Sequence, residues 1–348
     1  MKIKTPILWL TKPIRNKPDP WHYFKVEGVM VNAYEILTKP SITKRIIDEG
    51  VHKYMGFDGL IAMDSGGFLF MNKKKINVNP ETIIDLYEKS KPNYAVVLDH
   101  PLLPNLPPEE INKRLEETLE NTKIMLELKQ SKNPVLIPVI HGFDKTTIKK
   151  YIRKLQDIGD FDVYGLGSLV PFVFSTKGNG GIYNLIEIVS LVRALLPDKI
   201  IHVFGVGSAL TMHLMFYIGV DSVDTVSWRI KAAYGAIQLP GISDRYITPK
   251  KRHKKYASLS KEEEKILEKC NCPACRKEGI EGLIKSFKLR ALHNAWVYQK
   301  EIEKTRRLMK DGEYEKYVES ILSKNVVFAK ALRYAYIMKR KIRTILHE

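Results

Sequence analysis

Ile200-Ile201-His202-Val203-Phe204-Gly205, continuing into Val206-Gly207, and then Ser222-Val223-Asp224-Thr225-Val226, are short β-branched runs that end in a glycine or an acid. Such near-continuous apolar strands are buried on both faces, as parallel strands covered by helices are. Reading outward from them, the same pattern recurs at Gly28–Ala33, Leu60–Asp64, Tyr94–Asp99, Val135–His141 and Val163–Gly167. Between the runs lie amphipathic segments such as Pro80–Lys89, Pro108–Lys129 and Lys145–Ile158, two of which open with proline where a first helical turn tolerates it. Seven or eight strand–helix units in a row favour a closed (β/α)8 TIM barrel, of class α/β, over an open sheet. Most strands end in a polar or glycine-rich group: Asp64-Ser65-Gly66-Gly67, Asp99-His100, His141-Gly142, Gly167-Ser168, Gly205-Val206-Gly207 and Asp224. In a barrel these ends converge on one catalytic face, and a doubly wound sheet would also place its site there.

The 348 residues, 44% of them hydrophobic and 28% charged, match a folded globular chain rather than a disordered or fibrous one. No apolar run approaches the ~20 residues of a membrane span, and Pro6-Ile7-Leu8-Trp9-Leu10 gives way at once to charge and proline. The expectation is a cytoplasmic protein with no membrane partner. Residues 1–240 read as the barrel core, 241–300 as a basic stretch with a metal-binding insertion, and 301–348 as a helical C-terminal tail.

Lys plus Arg number 57 against 39 Asp plus Glu, a formal +18 that points to a polyanionic partner, nucleic acid first. A basic chain that is merely soluble is the competing reading. The candidate nucleic-acid contacts are Arg229, Arg245, Lys250, Lys251, Arg252, Lys254 and Lys255. The tail from Arg333 to Arg343 also mixes aromatics with cations, although aromatics at helical spacing more often face a core.

All three cysteines fall in Cys270-Asn271-Cys272-Pro273-Ala274-Cys275, unlike a secreted disulfide framework. C-x-C-x-x-C lets three thiolates reach one ion, and Zn²⁺ wants a fourth nitrogen or sulfur ligand. His293 is the candidate, because His253 lies in the basic run and His347 at the terminus. Four protein ligands would close the shell, which makes this zinc structural.

Asp64, Asp99 and Asp224 are the acids at strand ends. A lone Asp after a strand is often a helix cap or turn former. Three on one barrel face, beside glycines, suit glycosidic bond chemistry, in which one carboxylate attacks an oxocarbenium-like carbon and a second moves a proton. Phe68 and Phe204 could sandwich a purine.

Together these residues resemble a known family. His52-Lys53-Tyr54-Met55-Gly56-Phe57-Asp58-Gly59 leading to Asp64-Ser65-Gly66-Gly67-Phe68 is similar to the signature of tRNA-guanine transglycosylases. Asn32 to Leu37, Leu196-Pro197-Asp198-Lys199 to Gly207, Gly219 to Asp224 and the cysteine cluster resemble further family segments in the same order.

The resemblance implies a zinc-containing barrel that replaces guanine in nucleic acid by a free 7-deazaguanine base, of the 7-cyano-7-deazaguanine type, through a covalent ribosyl-enzyme intermediate. It implies Asp224 as nucleophile and Asp64 as general acid/base. Asp99 would accept from the amino edge of the base, with Gly167, Ser168 and Gly205 against it and Phe68 and Phe204 stacking. No organic cofactor is implied. A homodimer is common in the family.

There are departures. His141 stands where glutamine is usual, altering a base-edge contact, and Thr225-Val226-Ser227-Trp228-Arg229 replaces the C-V-x-P-T-R of tRNA-type bacterial members. About fifty residues follow His293, too few for the extra RNA-binding domains of archaeal members. These features favour DNA slightly over tRNA as substrate, and duplex DNA would require base extrusion. A noncatalytic nucleic-acid-binding subunit and a plain glycoside hydrolase barrel are the other readings.

Overall fold

The structure, a computed structural model, describes residues 3–67, 78–174, 181–248 and 257–347. Among the described residues nine parallel strands form one nearly closed sheet: β1 (Ile7–Thr11), β2 (Gly28–Asn32), β3 (Leu60–Asp64), β4 (Tyr94–Val96), β5 (Val135–Ile137), β6 (Val139–Ile140), β7 (Val163–Leu166), β8 (Ile200–Val203) and β9 (Ser222–Thr225). Strands β5 and β6 are one stave interrupted at Pro138, which has no N–H to give to the ladder. The neighbouring Gly165 N–H still reaches the Pro138 carbonyl at 2.9 Å, so the stave bridges β4 and β7. Counted this way the barrel has the eight staves expected, with helices outside, at Pro80–Ser90, Pro108–Leu128, Lys145–Ile158 and Gly181–Leu195 among others.

The expected seven strands are all present but most stop one to three residues early, because the polar terminal groups leave the ladder to build loops. The eighth stave, β1, is the Ile7–Leu10 run. It closes the barrel between β9 and β2, with Trp9 opposite Asp224 and Leu10 opposite Val29. After β9 a two-stranded antiparallel pair, Ala236–Ile237 with Arg245–Tyr246, leads to the cysteine-bearing segment. A helix at Phe287–Lys310 runs across residue 300 and packs on the Ser227–Ala233 helix and on β1. Among the described residues no helix is long and apolar enough to cross a membrane.

Period-two alternation positions the site. On each stave one set of side chains faces outward into a large core with the helices, as Leu8, Leu10, Ile61, Met63 and Val223 do. The other set fills the barrel: Ile7, Trp9, Met30, Leu60, Ala62, Tyr94, Val139 and Val163. Carrying the inward set one step further along each strand gives Thr11, Asn32, Asp64, His141, Gly167, Phe204 and Asp224. The polar site therefore caps a mostly apolar barrel interior, which also holds the buried polar side chains of His202 on β8 and Ser222 on β9.

Gly28 shows how tightly that interior is filled. A Cβ there would fall 2.6 Å from Cε3 of Trp9, whose indole N–H is anchored to Ser222 Oγ at 2.8 Å. Gly28→Ala is expected to cost about 1–3 kcal/mol of stability by overpacking. Chemical denaturation measures this, and an unchanged midpoint would mean the ring has room to move.

Candidate active site and metal centre

Three carboxylates meet at the mouth of the barrel around a cavity of about 460 Å³, lined by Thr11, Asn32, Asp64, Asp99, Ser168, Phe204 and Asp224 among others. Asp224 is 7% exposed. Its Oδ1 accepts the Gly205 N–H at 2.6 Å and its Oδ2 the Thr11 hydroxyl at 2.9 Å, so both oxygens are held. Gly205 adopts φ 72°, in the region that favours glycine, and this turn aims its N–H at the carboxylate.

Asp64 is held differently. Its Oδ2 accepts from Asn32 Nδ2 at 2.8 Å, and Asn32 is itself fixed because its Oδ1 caps the Ala33–Leu37 helix through Glu35 N. Burial, reinforced by the nearby charges of Asp99 and Asp224, pushes the Asp64 carboxyl up to about 7, against the pull of the Gly66 N–H and the Asn32 amide. The same shift has a cost. Because the folded carboxyl keeps its proton from its ordinary 3.8 up to about 7 while the unfolded one loses it, folding becomes less favourable as pH rises through that window.

Asp99 is 7% exposed and receives Ser65 Oγ at 3.2 Å on one oxygen and His141 Nε2 at 3.0 Å on the other. His141 Nδ1 lies 2.9 Å from Ser168 Oγ, which accepts the Leu102 N–H at 2.7 Å. With the imidazole neutral, its proton is on Nε2 facing the carboxylate, and Ser168 donates to Nδ1. Ser168 holds φ 66°, an uncommon conformation for a side-chain-bearing residue that the surroundings impose. Gly167 has no substitute: a Cβ would lie 2.4 Å from Cε1 of His141. The Phe204 ring flanks the same cavity.

The metal-ligating candidates form a second site. Cys270, Cys272, Cys275 and His293 offer donor atoms that all lie within 4.8 Å of one another. His293 Nδ1 is 3.7, 3.5 and 3.4 Å from the three sulfurs. A tetrahedral zinc with ordinary Zn–S and Zn–N bond lengths requires an edge of about 3.5 Å, so the donor set fits that ion. His293 Nε2 donates to the Gln238 carbonyl at 2.9 Å, which leaves Nδ1 bare for a metal, and Cys272 accepts the Cys275 N–H at 3.2 Å. A small apolar core of Ile237, Leu239, Leu267, Leu283 and Leu292 surrounds the cluster.

A family model described as queuine tRNA-ribosyltransferase matches residues 2–326. The chain belongs to this family. A tRNA-guanine(15) transglycosylase of Pyrococcus abyssi is 27% identical over 330 residues, covering 91% of this chain and 52% of that protein. One from Methanococcus aeolicus is 30% identical over 301 residues, 84% of this chain and 43% of that protein. A third, from Methanopyrus kandleri, is 28% identical over 333 residues, covering 92% and 67%. The chain spans about half the length of most of the curated relatives it matches.

Of the residues that sequence reading nominated in this family member, the fold brings Asp64, Asp99, His141, Gly167, Ser168, Phe204, Gly205 and Asp224 together. Phe68, Lys250, Lys251, Arg252, Lys254 and Lys255 lie outside the described residues. Arg229 donates to the Lys17 carbonyl at 2.8 Å and packs over Trp228 and Phe287, and Arg245 forms a two-oxygen ion pair with Glu263. Both arginines are thus engaged within the chain. Thr11, Asn32 and His202, which touch or face the carboxylates, were not nominated. Their signal is the inward register of β1, β2 and β8.

Proposed function

We propose that the protein exchanges a guanine in tRNA for a 7-deazaguanine, with Asp224 as nucleophile and Asp64 as general acid and base. The observation that carries this reading is the pairing of two unlike carboxylates in one cavity: Asp224 held by two donors, Asp64 pushed up to about 7. A bond forms between an Asp224 oxygen and C1′ of the ribose as the bond from C1′ to guanine N9 breaks. The electron pair leaves with guanine and takes the Asp64 proton. The incoming base returns a proton to Asp64 as its N9 attacks C1′ and frees Asp224. A carboxyl poised near 7 serves both half-reactions.

Asp99, oriented by Ser65 and by the Ser168–His141 pair, accepts from the amino edge of the base, and Phe204 covers one of its faces. The cationic run from Lys250 to Lys255 supplies phosphate contacts by its charge. Zn²⁺ on Cys270, Cys272, Cys275 and His293 is structural, and the exchange needs no organic cofactor because the sugar carbon only passes between nucleophiles.

The relatives' printed names favour tRNA over the DNA that the departures in sequence favoured, with guanine 15 as the expected target. Incubating the protein with radiolabelled guanine and tRNA, single-stranded DNA or duplex DNA tests this. Label is expected in tRNA only. Label in DNA alone would overturn the tRNA assignment, and label in neither would favour a noncatalytic subunit.

Asp64 also sets a pH dependence. Attack on free nucleic acid needs it protonated, so kcat/KM for tRNA is expected to fall as pH rises above about 7. Asn32→Asp keeps the helix cap but sets a second carboxylate against Asp64 in place of a donor. The alkaline limb should then move upward by about one pH unit or more. A limb that stays in place would remove Asp64 from the proton transfer.

A further inference from the structure

We infer that His202 is a positioning residue for Asp224, an inference that rests on the exchange reaction proposed above. His202 sits in the barrel layer directly beneath the three carboxylates and is 1% exposed. Its Nδ1 lies 2.8 Å from Ser222 Oγ, and the same oxygen accepts the Trp9 indole N–H at 2.8 Å. An indole nitrogen only donates, so the Ser222 hydroxyl proton is free to turn to His202 Nδ1. The imidazole then carries its own proton on Nε2.

What Nε2 faces decides the tautomer. Among the described residues it has no hydrogen-bond partner, and Asp224 Oδ1 stands 3.5 Å away. A bare nitrogen lone pair aimed at a carboxylate in a dry interior would be repelled, whereas an N–H is attracted. At 3.5 Å the contact is longer than a hydrogen bond, so a small rotation of the carboxylate toward His202 completes it. Phe204, edge-on to the His202 ring with centroids 4.4 Å apart, holds that ring in place.

The arrangement distinguishes the two Asp224 oxygens. Oδ1 is gripped by the Gly205 N–H and faced by His202 Nε2–H, while among the described residues Oδ2 meets only the Thr11 hydroxyl. Oδ2 is therefore the atom that bonds to C1′ as the C1′–N9 bond breaks. Oδ1 is the oxygen on which charge is steadied when C1′–Oδ2 breaks in the second half-reaction. This line, Trp9 to Ser222 to His202 to Asp224, parallels the line from the Leu102 N–H through Ser168 and His141 to Asp99.

Two measurements test the inference. In protein labelled with nitrogen-15 histidine, long-range proton–nitrogen spectra should show His202 protonated on Nε2, with signals that move in Asp224→Asn. A His202 protonated on Nδ1 overturns the inference whether or not any nucleic acid exchanges guanine. In the exchange assay with tRNA, His202→Leu is expected to lower kcat about 10- to 100-fold with KM for tRNA changed by no more than about twofold. His202→Gln, which keeps a donor near the Nε2 position, should restore most of that loss. Equal loss in both variants, or loss expressed in KM, would show a packing role and overturn it. If the parent protein exchanges no guanine while His202 is protonated on Nε2 and responds to Asp224→Asn, the exchange reading fails and the link from His202 to Asp224 stands.

Discussion

Asp224→Asn is expected to abolish guanine exchange, by about 10³-fold or more, while leaving tRNA affinity within about twofold of the parent. The amide has the shape of the carboxylate, and its oxygen can still accept from Gly205 N–H or the Thr11 hydroxyl, so the cavity keeps its form. What it loses is the charge that attacks C1′. A binding residue would behave otherwise, since its removal weakens affinity and turnover together. Exchange of labelled guanine measured beside filter binding of tRNA separates the two, and substantial turnover in the Asn variant would remove Asp224 from the nucleophile role.

The second large effect is expected at the cysteine cluster. Purified protein should carry about one zinc per chain, and Cys272→Ala should lose it together with several kcal/mol of stability, or roughly 5–10 °C in melting temperature. Cys272 is fully buried and caps the Pro273–Lys285 helix, and His293 ties the cluster to the long Phe287–Lys310 helix that packs on β1. Loss of the metal would leave up to three thiol groups and an imidazole crowded in an apolar pocket with no ion to pair them. Metal analysis and thermal melting check this. Unchanged zinc content and melting would show that the cluster takes no part in the fold.

The barrel was legible because its strands are buried on both faces and their sequences say so without long-range information. Strand β1 was not, for a physical reason: Ile7 to Leu10 is a short apolar run near the N-terminus between Pro6 and Lys12-Pro13, and only its pairing with β9 and β2 makes it a stave. The carboxylates were legible because an acid at the end of an apolar strand, as at Asp64, Asp99 and Asp224, is a local pattern. Asn32 and Thr11 were not legible as their partners, since Asn32 reaches Asp64 across one strand pair and Thr11 reaches Asp224 across the barrel closure. The basic surface was the least legible part. Arg245 reads as a free cation in a basic stretch, but Glu263, eighteen residues on, pairs with it. The cysteine spacing, by contrast, carried nearly the whole metal site, and the fold added the Gln238 carbonyl that sets the His293 tautomer.

The most direct measurement is to denature the protein during turnover on tRNA in the absence of free base, digest the trapped adduct and locate the ribosyl group by mass spectrometry. The expected result is a nucleotide fragment on the peptide that contains Asp224. Attachment at Asp64 or Asp99, or vigorous guanine exchange with no covalent adduct at all, would contradict the roles assigned to these carboxylates.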